Sequence, residues 1–456
     1  MKQKKIALVF DRIPITHDPG ASAAVQRPAS EDTMAAKNWL TLFAFSCSAA
    51  ANAVMFMDFV VLSELSANAF GVTPADIAAT YSLGLFTTLP VAFLVVYFLP
   101  RRSYWVFFCG AFCNSLGAWL RWMALANGDW NLCLISTVSI GFGFAVCCMS
   151  FAVVGERWFP PEQQMLTTSI GVQSNYAGWC FGALLIPTLV KTAEDHERFM
   201  FVQAIATSFV VVFFFLFHNE SVAKPQPEDI PSVGKSLGAL CKNKIYWVRL
   251  GSYATVGAVS YTIPAVQDAL LAETLDATPD FTKWTDTAFI ATGVITGLVL
   301  SAREPKNPRM LIKVLFVGCA VSLGVAAWLV SPLAEGLAMA PRRGALSVAM
   351  AIAGGTSLGF LGIALAQITH DAPDVHEAYS AGAVEWFVQA GGSFLSYNAI
   401  NAQGFVICAA LVIAATLSLL SAECLAGETA ANEGGSGKDS TKPPKDSRGT
   451  HPSTFV

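Results

Sequence analysis

The sequence is short of charge. Asp, Glu, Lys and Arg make up 13% of its 456 residues, about half of the roughly 25% found in soluble domains, while 54% are hydrophobic. That balance excludes a soluble globular chain and leaves a polytopic membrane protein. There is no basic block and the net charge is only −4, which excludes a nucleic-acid partner. Also missing are HExxH, GxSxG, paired carboxylates on one helical turn and a phosphate-cradling glycine loop, so no enzymatic activity is expected. The six histidines, His17, His196, His218, His370, His376 and His451, fall in expected loops or tails. No cysteine pair has metal-ligand spacing near a histidine, so the eleven cysteines read as packing residues. No metal and no cofactor is expected. The apolar run of "MKQKKIALVF" stops at Asp11, short of the roughly 7–15 residues of a secretory signal core.

What the sequence has in quantity is long apolar stretches. A helix needs about 20 such residues to cross the hydrocarbon core. Twelve stretches qualify: 39–66, 76–99, 103–126, 130–155, 165–190, 198–217, 245–273, 284–302, 309–331, 344–368, 377–399 and 403–425. The longest internal break, 218–244, is polar and Pro-rich and leaves six spans on either side. The expected organisation is therefore an all-α membrane protein of twelve transmembrane helices in two six-helix bundles, the layout of the major facilitator superfamily. Residues 1–38 form an N-terminal segment expected to be disordered, 39–217 the first bundle, 218–244 a cytosolic linker, 245–426 the second bundle and 427–456 a disordered tail.

Loop charges set the orientation. Loops on the side of the termini hold ten Lys and Arg, Arg101, Arg102, Arg157, Lys224, Lys235, Lys242, Lys244, Arg303, Lys306 and Arg309, against five on the other side, Lys191, Arg198, Lys283, Arg342 and Arg343. Both termini are expected in the cytosol. The sequon Asn219-Glu220-Ser221 would then escape glycosylation. No retention signal is read at the end of the chain, so the plasma membrane is the default and an organelle stays open. The final Thr454-Phe455-Val456 fits a groove that captures C-termini.

Several motifs, in order, resemble one family. Helix 1 carries "NAVMFMDFVVLSELSANAFGVT", helix 3 "CNSLGAWLRW", the end of helix 4 "RWFPPEQ", helix 5 "SNYAG", helix 7 "GAVSYTIP" and helix 11 "SAGAVEWFVQAGG". Over most of residues 38–425 the chain resembles the feline leukaemia virus subgroup C receptor family of the major facilitator superfamily. The resemblance implies a transporter of choline or ethanolamine, with haem and vitamin B6 as alternative substrates proposed for members. In the family's choline carriers a Trp of helix 1 and a Tyr of helix 7 cage the ammonium, with glutamines of helices 5 and 11 nearby. Tyr261 and Gln389 match that pattern. The helix 1 Trp falls on Phe56 and the helix 5 Gln on Tyr176, so the family's substrate is not simply inherited.

The residues themselves point to a cation. Aromatic faces attract an ammonium that offers few hydrogen bonds, by ~2 kcal/mol or more when desolvated. Tyr261 is the leading cage residue, with Phe56, Tyr176 and Trp386 as further rings. Glu385 stands in the middle of helix 11, where an ionised carboxylate costs at least ~2.5–3.5 kcal/mol. It precedes Gln389 by four residues and shares its helical face. A carboxylate there balances a cationic substrate or carries a proton. Asp58 is the second intramembrane acid, expected to pair with a neighbouring helix or guard the outer mouth, and both acids are candidate proton or charge relays. The amides of Asn52 and Asn175 are expected to line the cavity. Pro264, three residues after Tyr261, is expected to bend or break helix 7. The runs "IAGGTSLG" and "QAGGS" let helices approach and slide. Arg101 and Arg102 in one loop and Arg303 and Lys306 in another take the places of the superfamily's gating loops. The partners expected are a small-molecule substrate and the lipid bilayer, and the working unit is a monomer. A sensor that binds without transport is the rival class; net accumulation in liposomes separates the two.

Overall fold

The computed structural model describes residues 29–217, 232–275, 277–398 and 403–435, and every regular element among them is helical. The first half comprises α1 (Ala29–Met57), a 3₁₀ turn (Val60–Leu62), α2 (Ser63–Phe70), α3 (Pro74–Asn127), α4 (Trp130–Trp158), α5 (Pro161–Leu189) and α6 (Ala193–Leu216). A short α7 (Val233–Lys242) leads into the second half: α8 (Lys244–Leu275), α9 (Pro279–Ala302), α10 (Pro308–Val330), α11 (Met339–Ser357), α12 (Leu361–His370), α13 (Glu377–Asn398) and α14 (Gly404–Gly435). α3 makes two passes, turning at Arg102 (φ −145°, ψ 49°) just after Pro100, whose ring cannot continue a helical ladder. The first and tenth passes are each built from two helices. Twelve passes result, six on either side of α7.

Local chemistry fixes the ends. Thr73 and Asp76 form a capping box at the start of α3, as Thr192 and Asp195 do for α6, satisfying backbone N–H groups that a helix start leaves orphaned. Gly128 ends α3 in the left-handed region (φ +64°), a conformation that costs glycine little, and Asp129 then caps α4.

Eight helical stretches among the described residues are long and apolar enough to cross a membrane by length and composition alone. α5, α8 and α13 fall outside that group. They meet across the seam between the two halves: α5 packs on α9 and α12, α13 on α3 and α4, and α8 reaches α5 through Tyr261. Helices facing an interior seam tolerate polar residues that a lipid-facing helix does not.

Four features differ from the sequence expectation. α1 begins at Ala29 rather than 39. The last part of the expected linker is α7, an amphipathic turn that buries Ser236 and Leu240. α14 continues to Gly435, beyond 426. α8 runs through Pro264 as one helix, whereas helix 1 is interrupted after Met57 without any proline. Residues 1–28, 218–231 and 436–456, with the Asn219 sequon and the Thr454-Phe455-Val456 terminus, lie outside the described residues.

The interruption of helix 1 has a partner on α3. Arg121 of α3 hydrogen-bonds the Met55 carbonyl, which at the helix end keeps only a long 3.4 Å backbone bond from the Asp58 N–H, and its Nη1 lies 3.3 Å from Asp58 Oδ2. Gln203 of α6 donates to Asp58 Oδ1 at 3.0 Å, and the guanidinium stacks 4.6 Å over Phe59. A buried charge pair of this kind persists when hydrogen bonds satisfy the remaining lone pairs.

Candidate functional site

Each half contributes aromatic surface to the seam. On α5, Tyr176 and Trp179 are three residues apart and so share a face. On α8, Tyr261 meets both: its ring centroid lies 5.7 Å from that of Tyr176 and 4.8 Å from that of Trp179, the latter edge-to-face at 83°. Tyr176 and Trp179 complete the triangle at 6.0 Å. All three are among the most fully buried large side chains of the protein. They join helices from opposite halves, so any relative movement of the halves must part or slide them.

α13 supplies the charge. Glu385 and Gln389 are each 1% exposed, and Glu385 Oε2 lies 3.5 Å from Gln389 Nε2. That amide also faces Cys148 Sγ of α4 at 3.6 Å, and the Glu385 carboxyl lies within electrostatic range of Tyr176, Tyr261 and Cys148. α13 reaches this position because α8 and α13 pack through small residues: a Cβ added at Gly391 would lie 2.9 Å from Ala258 Cβ.

Polar atoms without hydrogen-bond partners concentrate here. They include Glu385 Oε1, the indole Nε1 of Trp179 and both side-chain polar atoms of Asn175, while the hydroxyls of Tyr176 and Tyr261 have each other as polar neighbours. Buried polar groups are nearly always paired, and each exception needs an explanation. Four such atoms, from α5 in one half and α13 in the other, are what a site that receives its partners from a ligand would show.

The other residues singled out from the sequence lie elsewhere. Asn52 donates to Asn114 Oδ1 at 2.6 Å and to the Ile140 carbonyl at 2.9 Å, tying α1 to α3 and α4. Phe56 packs against Tyr81 and Phe144 in a recess that exists because residue 84 is glycine; a Cβ there would meet Phe56 Cε1 at 2.6 Å. Trp386 is half-buried, donates from Nε1 to the Leu89 carbonyl across the seam at 3.1 Å and rests on Phe93. Asp58 belongs to the Arg121 network. Arg101 binds the Tyr97 carbonyl and lies over its ring, while Arg102, Arg303 and Lys306 are exposed. Among the described residues no ion pair links any of these four to the opposite half.

Access to the ring cluster is one-sided. We call the face where α4 ends and α5 begins proximal, and the opposite face distal. On the proximal side Arg157 of α4 crosses the seam to Glu377 (Nε to Oε1, 2.8 Å) and to the His376 ring, while binding the Pro100 carbonyl and Ser103 hydroxyl on its own side. Thr369 donates to Glu156 Oε1 at 2.8 Å, again across the seam. Nearer the middle, Gln173 of α5 donates at 3.1 Å to the Leu358 carbonyl, which sits at the break between α11 and α12. Burial, with Arg157 alongside, lowers the His376 pKa to about 4 against the upward pull of Glu377. On the distal side a cleft of ≈ 200 Å³ opens between the halves, lined by Met57, Tyr81, Ala183, Pro264, Asp286 and Ser396 among others. Pro264 is one helical turn from Tyr261, so the cleft reaches almost to the rings. The protein is closed proximally and recessed distally.

Sequence reasoning missed Trp179, Arg121 and the proximal contacts. Trp179 was visible as the i+3 neighbour of Tyr176. Arg121 was visible as a charge inside a span, the very signal that drew attention to Glu385. Arg157 was counted as a loop cation, whereas it is buried in the last turn of α4.

Two bundles that close on one side of a central polar site are the architecture of a membrane carrier. A family model of the Major Facilitator Superfamily matches residues 39–397, and the chain belongs to that superfamily. Its fold is that of a bacterial homologue of the iron transporter ferroportin (TM-score 0.65, 12% identity, 85% of this chain and 99% of that one) and of the fucose transporter FucP in its outward conformation (TM-score 0.61, 17% identity, 84% and 98%). Among curated proteins it is similar to Choline/ethanolamine transporter flvcr2a of Danio rerio, with 22% identity over 52% of this chain and 54% of the relative. It is also similar to Choline/ethanolamine transporter FLVCR2 of Rattus norvegicus, with 21% identity over 44% and 37%. The chain spans about half the length of the curated relatives it matches.

Proposed function

We propose that this protein carries a small organic cation of the choline or ethanolamine type across its membrane by alternating access. The observation that carries the reading is the union, in one seam, of three rings from both halves with a buried carboxylate that has an unpaired oxygen. The rings offer negative π-faces to an ammonium, Glu385 balances its charge, and Gln389 and Asn175 supply hydrogen bonds to a hydroxyl or amine. The cation enters through the distal cleft. Its binding energy draws the halves together on that side, and separation of the Arg157–Glu377 and Glu156–Thr369 contacts opens the other. Residues 39–217 and 245–426 are the two moving bodies. A single chain holds a complete site, so a monomer suffices. The loop charges place the proximal face in the cytosol, with the plasma membrane as the default location. Choline and ethanolamine are also what the named relatives transport. The haem alternative has less support: His196 packs on Phe59 and His376 on Arg157, both remote from the rings.

The test is uptake of labelled choline, ethanolamine, pyridoxine and haem into liposomes containing the purified protein. Choline or ethanolamine should accumulate, and Tyr261→Ala should reduce the rate more than tenfold while the protein still folds. Accumulation of pyridoxine or haem alone, or saturable binding without flux, would overturn the reading.

A further inference from the structure

Glu385 carries a consequence beyond cation recognition. Among the described residues, Gln389 on its own helix is its hydrogen-bonding neighbour, and the titratable groups within electrostatic range are Cys148 from α4, Tyr176 from α5 and Tyr261 from α8. α3 meets this part of α13 through Leu89 and Val96, in a stretch with no ionisable side chain, and the one ionisable residue of α12, His370, is exposed at that helix's far end. Among the described residues no cation pairs with the carboxyl, and the buried arginines are engaged elsewhere: Arg121 with Asp58, Arg157 with Glu377, Arg249 with Asp371 and Arg342 with the Leu329 and Ser331 carbonyls. Oε1 has no partner and Oε2 has a single long contact. An ionised carboxylate so placed carries a desolvation cost of several kcal/mol with nothing to offset it, and a group in that position takes up a proton instead.

We propose that the protein exchanges its cation for a proton, with Glu385 as the shared site. This deepens the cation-carrier reading and rests on it. In the empty protein the carboxyl is –COOH. When the cation arrives, the O–H bond breaks, the proton leaves through the distal cleft to the side from which the cation came, and the carboxylate pairs with the ammonium. After the halves move, the cation departs on the other side and a proton from that side re-forms the acid. One cation crosses in one direction and one proton in the other. In both states that cross, the site is neutral, so the exchange is electroneutral. The empty carboxylate is the costly state, and its rarity couples the two fluxes.

Two measurements on the full chain test this. The first is isothermal titration of choline into detergent-solubilised protein at pH 7 in buffers of different ionisation enthalpy. It should report about one proton released per choline bound, and the apparent Kd should rise about tenfold per unit fall in pH while the acid is protonated. Glu385→Gln should release none and bind far more weakly, with a pH-independent Kd, whereas Glu385→Asp should restore release; a matching melting temperature would show that the variants fold. The second uses liposomes with a trapped pH dye, in which an inward choline gradient should make the lumen alkaline at a rate unchanged by a valinomycin-clamped potential. Choline binding without proton release, or uptake that follows the potential and not the pH, would overturn the exchange and leave the cation carrier standing. Absence of choline and ethanolamine binding to the wild-type protein would overturn both.

Discussion

Asp58 and Glu385 are both carboxylates buried inside the helical body, one in each half, 0% and 1% exposed. Their surroundings are opposite. Asp58 has Arg121 on one oxygen and Gln203 on the other, and the guanidinium also binds the Met55 carbonyl at the interruption of helix 1. Glu385 has one amide at 3.5 Å and nothing else. Burial of a charge is tolerable when partners replace water, and Asp58 has them, so it stabilises the first half. Glu385 lacks them in the empty protein, so its partner must come from outside. The same residue chemistry, equally buried, thus serves architecture in one half and, on the proposed reading, transport in the other.

The largest effect expected from breaking this contrast is on the Asp58 side. Arg121→Met leaves Asp58 as an unpaired buried charge, a change that costs ~3–5 kcal/mol. Thermal unfolding in detergent should show a collapse in stability, and Asp58→Asn added to Arg121→Met should recover much of it. Glu385→Gln is the mirror experiment. Replacing an unpaired carboxyl with a neutral isostere should leave the melting temperature within about 2 °C of wild type, a shift equivalent to under ~1 kcal/mol for a chain of this size. A large loss would mean that Glu385 has a structural partner.

A smaller effect concerns the proximal contacts. The His376 pKa lies at about 4, lowered by burial and by Arg157, against an ordinary 6.5. The folded protein therefore binds fewer protons at this site than the unfolded chain between those values. Stability from the neutral imidazole is present in full above pH 6.5 and is lost as pH falls towards 4. Cysteine-labelling rates at the proximal seam should rise over that window, and His376→Gln should flatten the rise.

The comparison also separates what could be read from the sequence from what could not. The twelve passes were legible because apolar length is a local property, and their ends needed only local caps such as Thr73 with Asp76. Glu385 was legible because a charge stands out in an apolar helix, whereas Tyr261 and Gln389 were singled out by the family resemblance. The break in helix 1 was not, since no proline or glycine marks it; its partner, Arg121, is 63 residues away in the chain. Phe56 was assigned to the ring cluster by resemblance, but its packing is decided by the missing side chain at Gly84. Trp179 could be placed on the face of Tyr176 from its i+3 spacing, but its contact with Tyr261 of α8 is non-local and no single helix encodes it. Non-local pairing is where sequence periodicity stops being informative.

The most direct test of the account is the thermal shift caused by saturating choline in wild-type protein, Glu385→Gln and Asp58→Asn side by side. A ligand at 100 times its Kd stabilises by ~2.7 kcal/mol, so wild type should shift upward by several degrees. Asp58→Asn should melt lower yet keep the full choline shift, and Glu385→Gln should melt like wild type and lose most of it. A full shift in Glu385→Gln, with the loss appearing in Asp58→Asn instead, would contradict the account.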